Sequence, residues 1–173
     1  TSPITGLKVK EAVKKRQASL VTVETLQPAI DTLSNITNLA LQHFPTHPAQ
    51  FGNTVLGVIK AIIEGNLVDA AVAQQAPAFV QRLTSALQGT SWEALEAATG
   101  QNRAQWAEAA TVLAKANRLV ILVGNGVLRH PGGDATVTNL LDLLILLGKL
   151  DKPGCGLGPL AEENNDQGAV EMG

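Results

Sequence analysis

Aromatic side chains are scarce in this chain, with two Trp, three Phe and no Tyr among 173 residues. Stacking platforms for bases are built from such rings, so that class of surface is excluded. The core is expected to rest on Ala, Val, Leu and Ile. Charge is low as well. Charged residues make up 16% of the chain and the net charge is −2, against about a quarter charged in an ordinary globular domain. No basic stripe runs through the sequence, which excludes a nucleic-acid footprint. The short cluster Lys14-Lys15-Arg16 reads as a helix C-terminus, where cations offset the helix dipole.

Cysteine is nearly absent. Cys155 stands alone, and one thiol closes no internal disulfide and holds no zinc or iron–sulfur site by itself. Such usage fits a reducing compartment. Long hydrophobic runs are missing too. The run Leu143 to Leu147 is far shorter than the roughly 20 apolar residues that span a bilayer. No secretory leader is recognisable at the N-terminus. These absences predict a cytoplasmic protein with no direct membrane insertion.

What is present is an apolar, helix-forming chain. Hydrophobic residues are 45% of the total, enough for a sizeable core at this length. Ser2 and Pro3 read as an N-cap and first helical residue, and Val9, Ala12 and Val13 follow helical spacing. Ser19 to Val23 reads as a strand, and Leu39-Ala40-Leu41 as a short further one. Asp31 to Asn38 is polar and irregular. The two prolines of Phe44-Pro45-Thr46-His47-Pro48 predict a loop.

Val55, Leu56, Ile59, Ile62 and Ile63 mark an amphipathic helix, with Gly65 placed to end it. Asp69 to Gln88 reads as helix broken at Pro77. Ser91 caps a helix that Gly100 closes. Asn102 to Ala116 reads as an Ala-rich helix with the stripe Trp106, Ala110 and Leu113.

Arg118 to Val123 is the clearest strand, apolar on both faces as a buried parallel strand requires. Asp134 is placed to cap a leucine-rich helix over Ala135 to Leu147, which Gly148 ends. Asp151 to Gly158 reads as a Gly/Pro turn region, followed by an irregular segment over 159–173. Residues 50–116 are mainly helical. Strands alternating with helices predict an α/β fold, a Rossmann-like parallel sheet flanked by helices. A helix that opens the chain with no strand before it predicts an incomplete sheet, hence a fragment of a larger subunit. An open sheet edge of that kind invites a second copy of the chain.

Few residues carry candidate chemistry. Gly124-Asn125-Gly126 follows the clearest strand, at the carboxyl edge where open α/β sheets bind ligands. Glycines there let the backbone approach a phosphate; the alternative is a tight turn. The dinucleotide fingerprint needs a third glycine, and that position is Arg129. Glu24 follows the first strand, where an acid contacts a ribose or a base; the alternative is an exposed acid.

His43 and His47 have the spacing of a helical metal pair, but Pro45 between them denies a regular helix. His130 precedes Pro131 in a glycine-rich loop. Glu162, Glu163 and Asp166 read as a solvated or interfacial loop. Cys155 sits among glycines, with Lys152 the one nearby charge to lower its pKa. No catalytic set and no metal site emerges from these residues.

The order of motifs resembles a known family. An Ala-rich helix leads to Arg118-Leu119-Val120-Ile121-Leu122-Val123-Gly124-Asn125-Gly126. His130, Gly133 and the leucine-rich helix follow, then Lys152-Pro153-Gly154-Cys155-Gly156. Last comes Asn165-Asp166-Gln167-Gly168-Ala169-Val170-Glu171-Met172-Gly173. This is similar to the molybdopterin oxidoreductase family over about the last 70 residues. Pro3 to Val23 and Asn53 to Asp69 resemble it less strongly.

Where that family carries Asp-Pro after its first strand, this chain has Glu24-Thr25. Where it carries Pro-Gly-Thr-Asp, whose acid contacts the guanine end of the cofactor, this chain has Pro45-Thr46-His47-Pro48. A family member without those contacts resembles the G subunit of NADH–quinone oxidoreductase (complex I). That resemblance implies a non-catalytic structural and subunit-interface part with a degenerate cofactor cleft. No cofactor is then expected in this chain, and iron–sulfur clusters lie elsewhere in the full subunit. Its partners would be other subunits of a respiratory complex and the remainder of its own chain, peripheral to the membrane. The alternative is the guanine-dinucleotide-binding part of an active enzyme such as a formate dehydrogenase α-subunit, which takes a molybdopterin guanine dinucleotide at Glu24, Gly124, Asn125 and Gly126.

Overall fold

Pro3 opens the first helix, α1 (Pro3–Arg16), which ends on Lys14, Lys15 and Arg16. The computed structural model describes residues 3–25 and 36–160. Ser2, residues 31–35 of the polar stretch, the acids Glu162, Glu163 and Asp166, and the motif from Asn165 to Gly173 lie outside the described residues. The elements that follow are β1 (Val21–Thr25), β2 (Gln42–Thr46), α2 (Phe51–Glu64), α3 (Ala70–Gln75), α4 (Pro77–Gln88), α5 (Trp92–Thr99), α6 (Arg103–Lys115), β3 (Val120–Gly124), α7 (Asn125–Leu128), α8 (Gly133–Leu146) and β4 (Gly156–Leu160).

The fold is mixed α/β and helix-rich, with parallel strands. Among the described residues the four strands form two sheets of two, β1 with β2 and β3 with β4, where one sheet was expected. Two strand assignments also need correction. The second strand is Gln42–Thr46, not Leu39 to Leu41, and it runs through Pro45. Proline is tolerated at a sheet edge because its missing N–H then costs little; β2 has β1 as its one strand neighbour among the described residues. The Gly/Pro region after Asp151 turns only as far as Cys155. Gly156 to Leu160 then pairs with β3, from Val120↔Gly156 to Gly124↔Leu160.

The core is organised around α2, which packs against α4, α5, α6 and α8. Its apolar residues recur at helical spacing, and Val55, Val58, Ile59 and Ile62 are all buried. Each such side chain contributes at most about 1.5–3 kcal/mol through burial. The helix ends in a Schellman turn. Asn66 N–H bonds Ile63 O and Leu67 N–H bonds Ile62 O, and the left-handed residue is Asn66, with φ 53°. Gly65 is the C-cap at φ −80°, one position earlier than the left-handed C′ site expected for it.

The aliphatic core expected from the composition is also incomplete. Three of the five aromatics, Phe44, Phe51 and Trp106, are buried. They are few, but they sit where α2 meets β2 and α6.

Ser91 caps α5 by accepting from Ala94 N–H at 3.1 Å, and Asn102 opens α6 with a full capping box to Gln105. At α8 the cap is Gly132, with φ 87°. Asp134 lies in the first turn, where it faces the helix dipole instead of capping. The helix is not apolar on every buried side: Asp142 is buried. Burial pushes its carboxyl up, and Arg82, 3.9 Å away, only partly opposes this. Strand β3 differs from expectation as well. Val123 is buried, but Val120 and Leu122 are 59% and 43% exposed, so this chain's own helices cover one face of the strand.

Glu64, the last residue of α2, ties three helices together. It accepts from Trp92 Nε1 at 3.0 Å on α5 and from Arg103 Nη2 at 2.9 Å on α6, and pairs with Lys60 at 3.1 Å. Lys60 and Arg103 flank the Trp92 ring, 5.4 and 5.0 Å from its centroid. Burial alone would raise the Glu64 pKa. Hydrogen bonds from Lys60 and Trp92 and the charges of Lys60 and Arg103 outweigh it and hold the carboxyl below its ordinary range. The unfolded chain therefore takes up the proton first on acidification. The stabilisation is complete above the ordinary carboxylate range and is lost as pH falls through the depressed folded-state value. Glu64→Gln is expected to lower stability at pH 7 by under about 1 kcal/mol, given solvent screening. Urea unfolding at pH 7 and pH 3 checks this: the gap to wild type should narrow at pH 3.

Candidate cofactor edge at the strand ends

The candidate residues fall at the carboxyl ends of two different sheets. On the first, Glu24 stands on β1 directly opposite Pro45 of β2 in parallel register. Its Oε2 accepts from Thr37 Oγ1 at 2.8 Å, which orients the carboxylate. On the second, Gly124 ends β3 and a single-turn helix, α7, begins at once at Asn125. An immediate helix was not expected there. Arg129 N–H bonds Asn125 O at 2.9 Å, and Gly133 N–H bonds His130 O at 2.8 Å, so α7 folds straight back into α8.

The two glycines of this turn share an open environment with Gly89, which ends α4, but they alone lie at the end of a strand. Neither Gly124 nor Gly126 has a positive φ, so backbone conformation does not demand glycine. A Cβ added to either would meet nothing within 4 Å among the described residues, so packing among them does not demand it. By contrast, Gly133 is wedged against the backbone of α7, where an added Cβ would overlap Val127 O. Gly124 and Gly126 thus present a bare backbone to open space at the sheet's carboxyl edge. Backbone N–H groups at such an edge suit an anionic ligand.

The histidines are held locally. His43 Nδ1 pairs with Thr22 Oγ1 at 2.9 Å across the strands. His47 Nδ1 accepts from Ala49 N–H at 3.3 Å. His130 Nδ1 donates to Pro131 O at 2.7 Å. Among the described residues no group of three His, Cys, Asp or Glu side chains is set to hold a metal. Cys155 is packed against the strand start, with Leu119 N–H donating to its Sγ at 3.3 Å.

Sequence reasoning missed one constellation. Thr46, Thr54 and Gln101 are buried together, at 0%, 0% and 3% exposure. Gln101 Nε2 donates to Pro45 O at 3.0 Å and to Thr46 Oγ1 at 2.6 Å. Thr54 Oγ1 donates to Gln101 Oε1 at 3.1 Å. The one signal that pointed here was polar residues flanking a predicted cap, which reads as an ordinary turn.

Comparison with known proteins decides the family. The molybdopterin oxidoreductase family model matches residues 1–173, the whole chain. The chain belongs to the molybdopterin oxidoreductase family. Among curated members, formate dehydrogenase H of Escherichia coli is 36% identical over 112 residues, 65% of this chain. Protein YdeP of the same organism is 28% identical over 186 residues, 94% of this chain. The chain spans 16% and 24% of the lengths of these two relatives. Acetylene hydratase from Pelobacter acetylenicus has the same fold, with a TM-score of 0.75 at 15% identity over 87% of this chain and 20% of that one.

For a molybdopterin oxidoreductase the fit of this edge is mixed. Gly124 and Gly126 suit close approach of a phosphate to backbone. Glu24 supplies a carboxylate at the carboxyl end of the other sheet. The end of β2 and the turn after it, Pro45 to Gln50, carry no carboxylate, and Thr46 there faces inward, fully buried. No described helix is long and apolar enough to cross a membrane.

Proposed function

We propose that this chain is part of the cofactor-binding α/β domain of a molybdopterin oxidoreductase of the formate dehydrogenase α-subunit kind, and that it binds the nucleotide end of the cofactor. The observation that carries this reading is the pair Gly124 and Gly126 at a strand's carboxyl end, side-chain-free without a conformational or packing reason among the described residues. The likeness to formate dehydrogenase H supports it. When bound, the molybdopterin group supplies the redox centre. The chain's own residues bind and orient: the Gly124–Gly126 backbone meets phosphate, Asn125 borders it, and Glu24, held by Thr37, accepts from a base or ribose.

In this reading the rest of the subunit supplies any iron–sulfur clusters. Val120 and Leu122, exposed on β3, face the remainder of the chain or a partner subunit, while a second copy would pair at the open sheet edge. The location in this reading is the cytoplasm, a reducing compartment that the scarcity of cysteine fits, peripheral to the membrane through the parent complex.

The acid-free turn after β2 favours a second reading, a retired cofactor cleft in a structural subunit such as the G subunit of NADH–quinone oxidoreductase. Two measurements on the full-length protein separate them. In the first reading molybdenum or tungsten is present near one per subunit and GMP binds saturably. Glu24→Ala then weakens GMP by tenfold or more, since a charge-assisted hydrogen bond contributes about 1.5–3 kcal/mol. Absence of both metal and GMP binding would leave the retired cleft standing.

A further inference from the structure

The geometry points to Gln101 as a positioning residue that sets the shape of the end of β2 and the turn after it, residues 45–50, on which nucleotide binding depends; this rests on the function proposed above. Pro45 and Thr46 are register partners of Glu24 and Thr25, so the turn flanks the candidate carboxylate. Pro45 has no N–H to anchor it in the ladder. What fixes its carbonyl is an amide from 56 residues further along the chain.

The orientation of that amide follows from chemistry. Pro45 O can only accept, so Nε2 must face it, and Oε1 is left to accept from Thr54. Both N–H groups are spent on the end of β2, and the carbonyl on the first turn of α2. Gln101 is itself fixed, through its own N–H, by Thr99 Oγ1 at 3.3 Å. The α5–α6 turn therefore braces the sheet edge from behind. An apolar trio would fill the same space without the demand that every polar atom be paired. A fully paired buried network admits one arrangement of its members, and here that arrangement is the path of the turn beside Glu24.

The test uses the full-length protein and GMP. Gln101→Met keeps the bulk and removes the amide; Thr54→Val removes one hydroxyl and is the milder probe should the first variant fold poorly. Ile62→Val, a core change remote from the amide network, lowers the melting temperature without touching the turn. We expect Gln101→Met to weaken GMP at least tenfold and Thr54→Val two- to threefold. Both should speed hydrogen exchange at residues 46–50. Ile62→Val should leave GMP affinity unchanged. If Gln101→Met and Thr54→Val bind GMP as wild type does, with only the melting temperature lowered, the positioning role is overturned and Gln101 is structural. If wild type binds no GMP, the proposed function falls and takes this role with it; the wild-type titration tells the two failures apart.

Discussion

Gly57→Ala should destabilise the protein by about 3 kcal/mol or more, the upper range for overpacking a closed core. Intrinsic propensity alone argues the opposite sign, because alanine is favoured over glycine inside a helix by about 1 kcal/mol. The neighbour decides. Gly57 lies in the middle of α2 beneath Trp106 of α6, and an added Cβ would enter the indole, 2.7 Å from Cδ2 and closer still to Cε2. Trp106 is fully buried, and the Trp92 ring stands 5.6 Å away, centroid to centroid. The indole therefore has no exposed path of retreat, and the clash exceeds the helical gain. Urea unfolding gives the measurement: a large drop in midpoint at unchanged slope. Trp106→Phe in the same background should recover part of the loss, because the smaller ring withdraws the overlapping atoms. It also removes an indole N–H that is buried without a hydrogen-bond partner among the described residues. If Gly57→Ala is neutral or stabilising, the close α2–α6 crossing is wrong.

The helices were legible in the sequence because their information is local. Apolar spacing marked α2, Pro77 the break between α3 and α4, and Ser91 the cap of α5, while Asn102 was read as a helical residue and not as the cap it forms. Gly57 gave no such signal, since a glycine inside a helical pattern reads only as a propensity cost; its reason is a tryptophan 49 residues away. Strands β2 and β4 were lost for a related cause. Pro45 and the run Gly156-Leu157-Gly158-Pro159 have poor strand propensity, and their strand state comes from parallel partners distant in sequence. In β4 the absence of a side chain fits the packing, because a Cβ on Gly158 would press on Leu122 Cδ2 at 3.3 Å. The exposure of Val120 and Leu122 was equally illegible: an apolar strand states that both faces suit burial, not which neighbour covers them.

The candidate site divides in the same way. Gly124-Asn125-Gly126 was found because strand-then-glycine is a contiguous pattern with a known place in α/β sheets. Glu24 was found by the same rule. That Glu24 stands opposite Pro45, and so beside the turn that lacks an acid, needed the register. Gln101 was beyond reach, because nothing in a polar residue before a helix cap states that its amide closes on a strand end across the core.

Gly133→Ala should cost about 2–3 kcal/mol, within the range of overpacking changes, and should also abolish GMP binding in the full-length protein. The obstructing atoms decide the magnitude. An added Cβ on Gly133 would overlap Val127 O and lie 3.0 Å from Leu128 O. These are backbone atoms, with no rotamer to yield. Relief requires α7 to move away from α8, and α7 starts at Asn125, directly after Gly124. The displacement therefore reaches the bare backbone edge proposed to meet phosphate. Gly126→Ala supplies the contrast. Its Cβ would project into open space, so melting should be unchanged while GMP binding weakens, because the methyl occupies the approach. Thermal unfolding and GMP titration on both variants give a two-by-two outcome: Gly133→Ala loses both properties and Gly126→Ala loses binding alone. Retained GMP affinity in Gly126→Ala would remove this edge from the phosphate site, whatever Gly133→Ala does to stability.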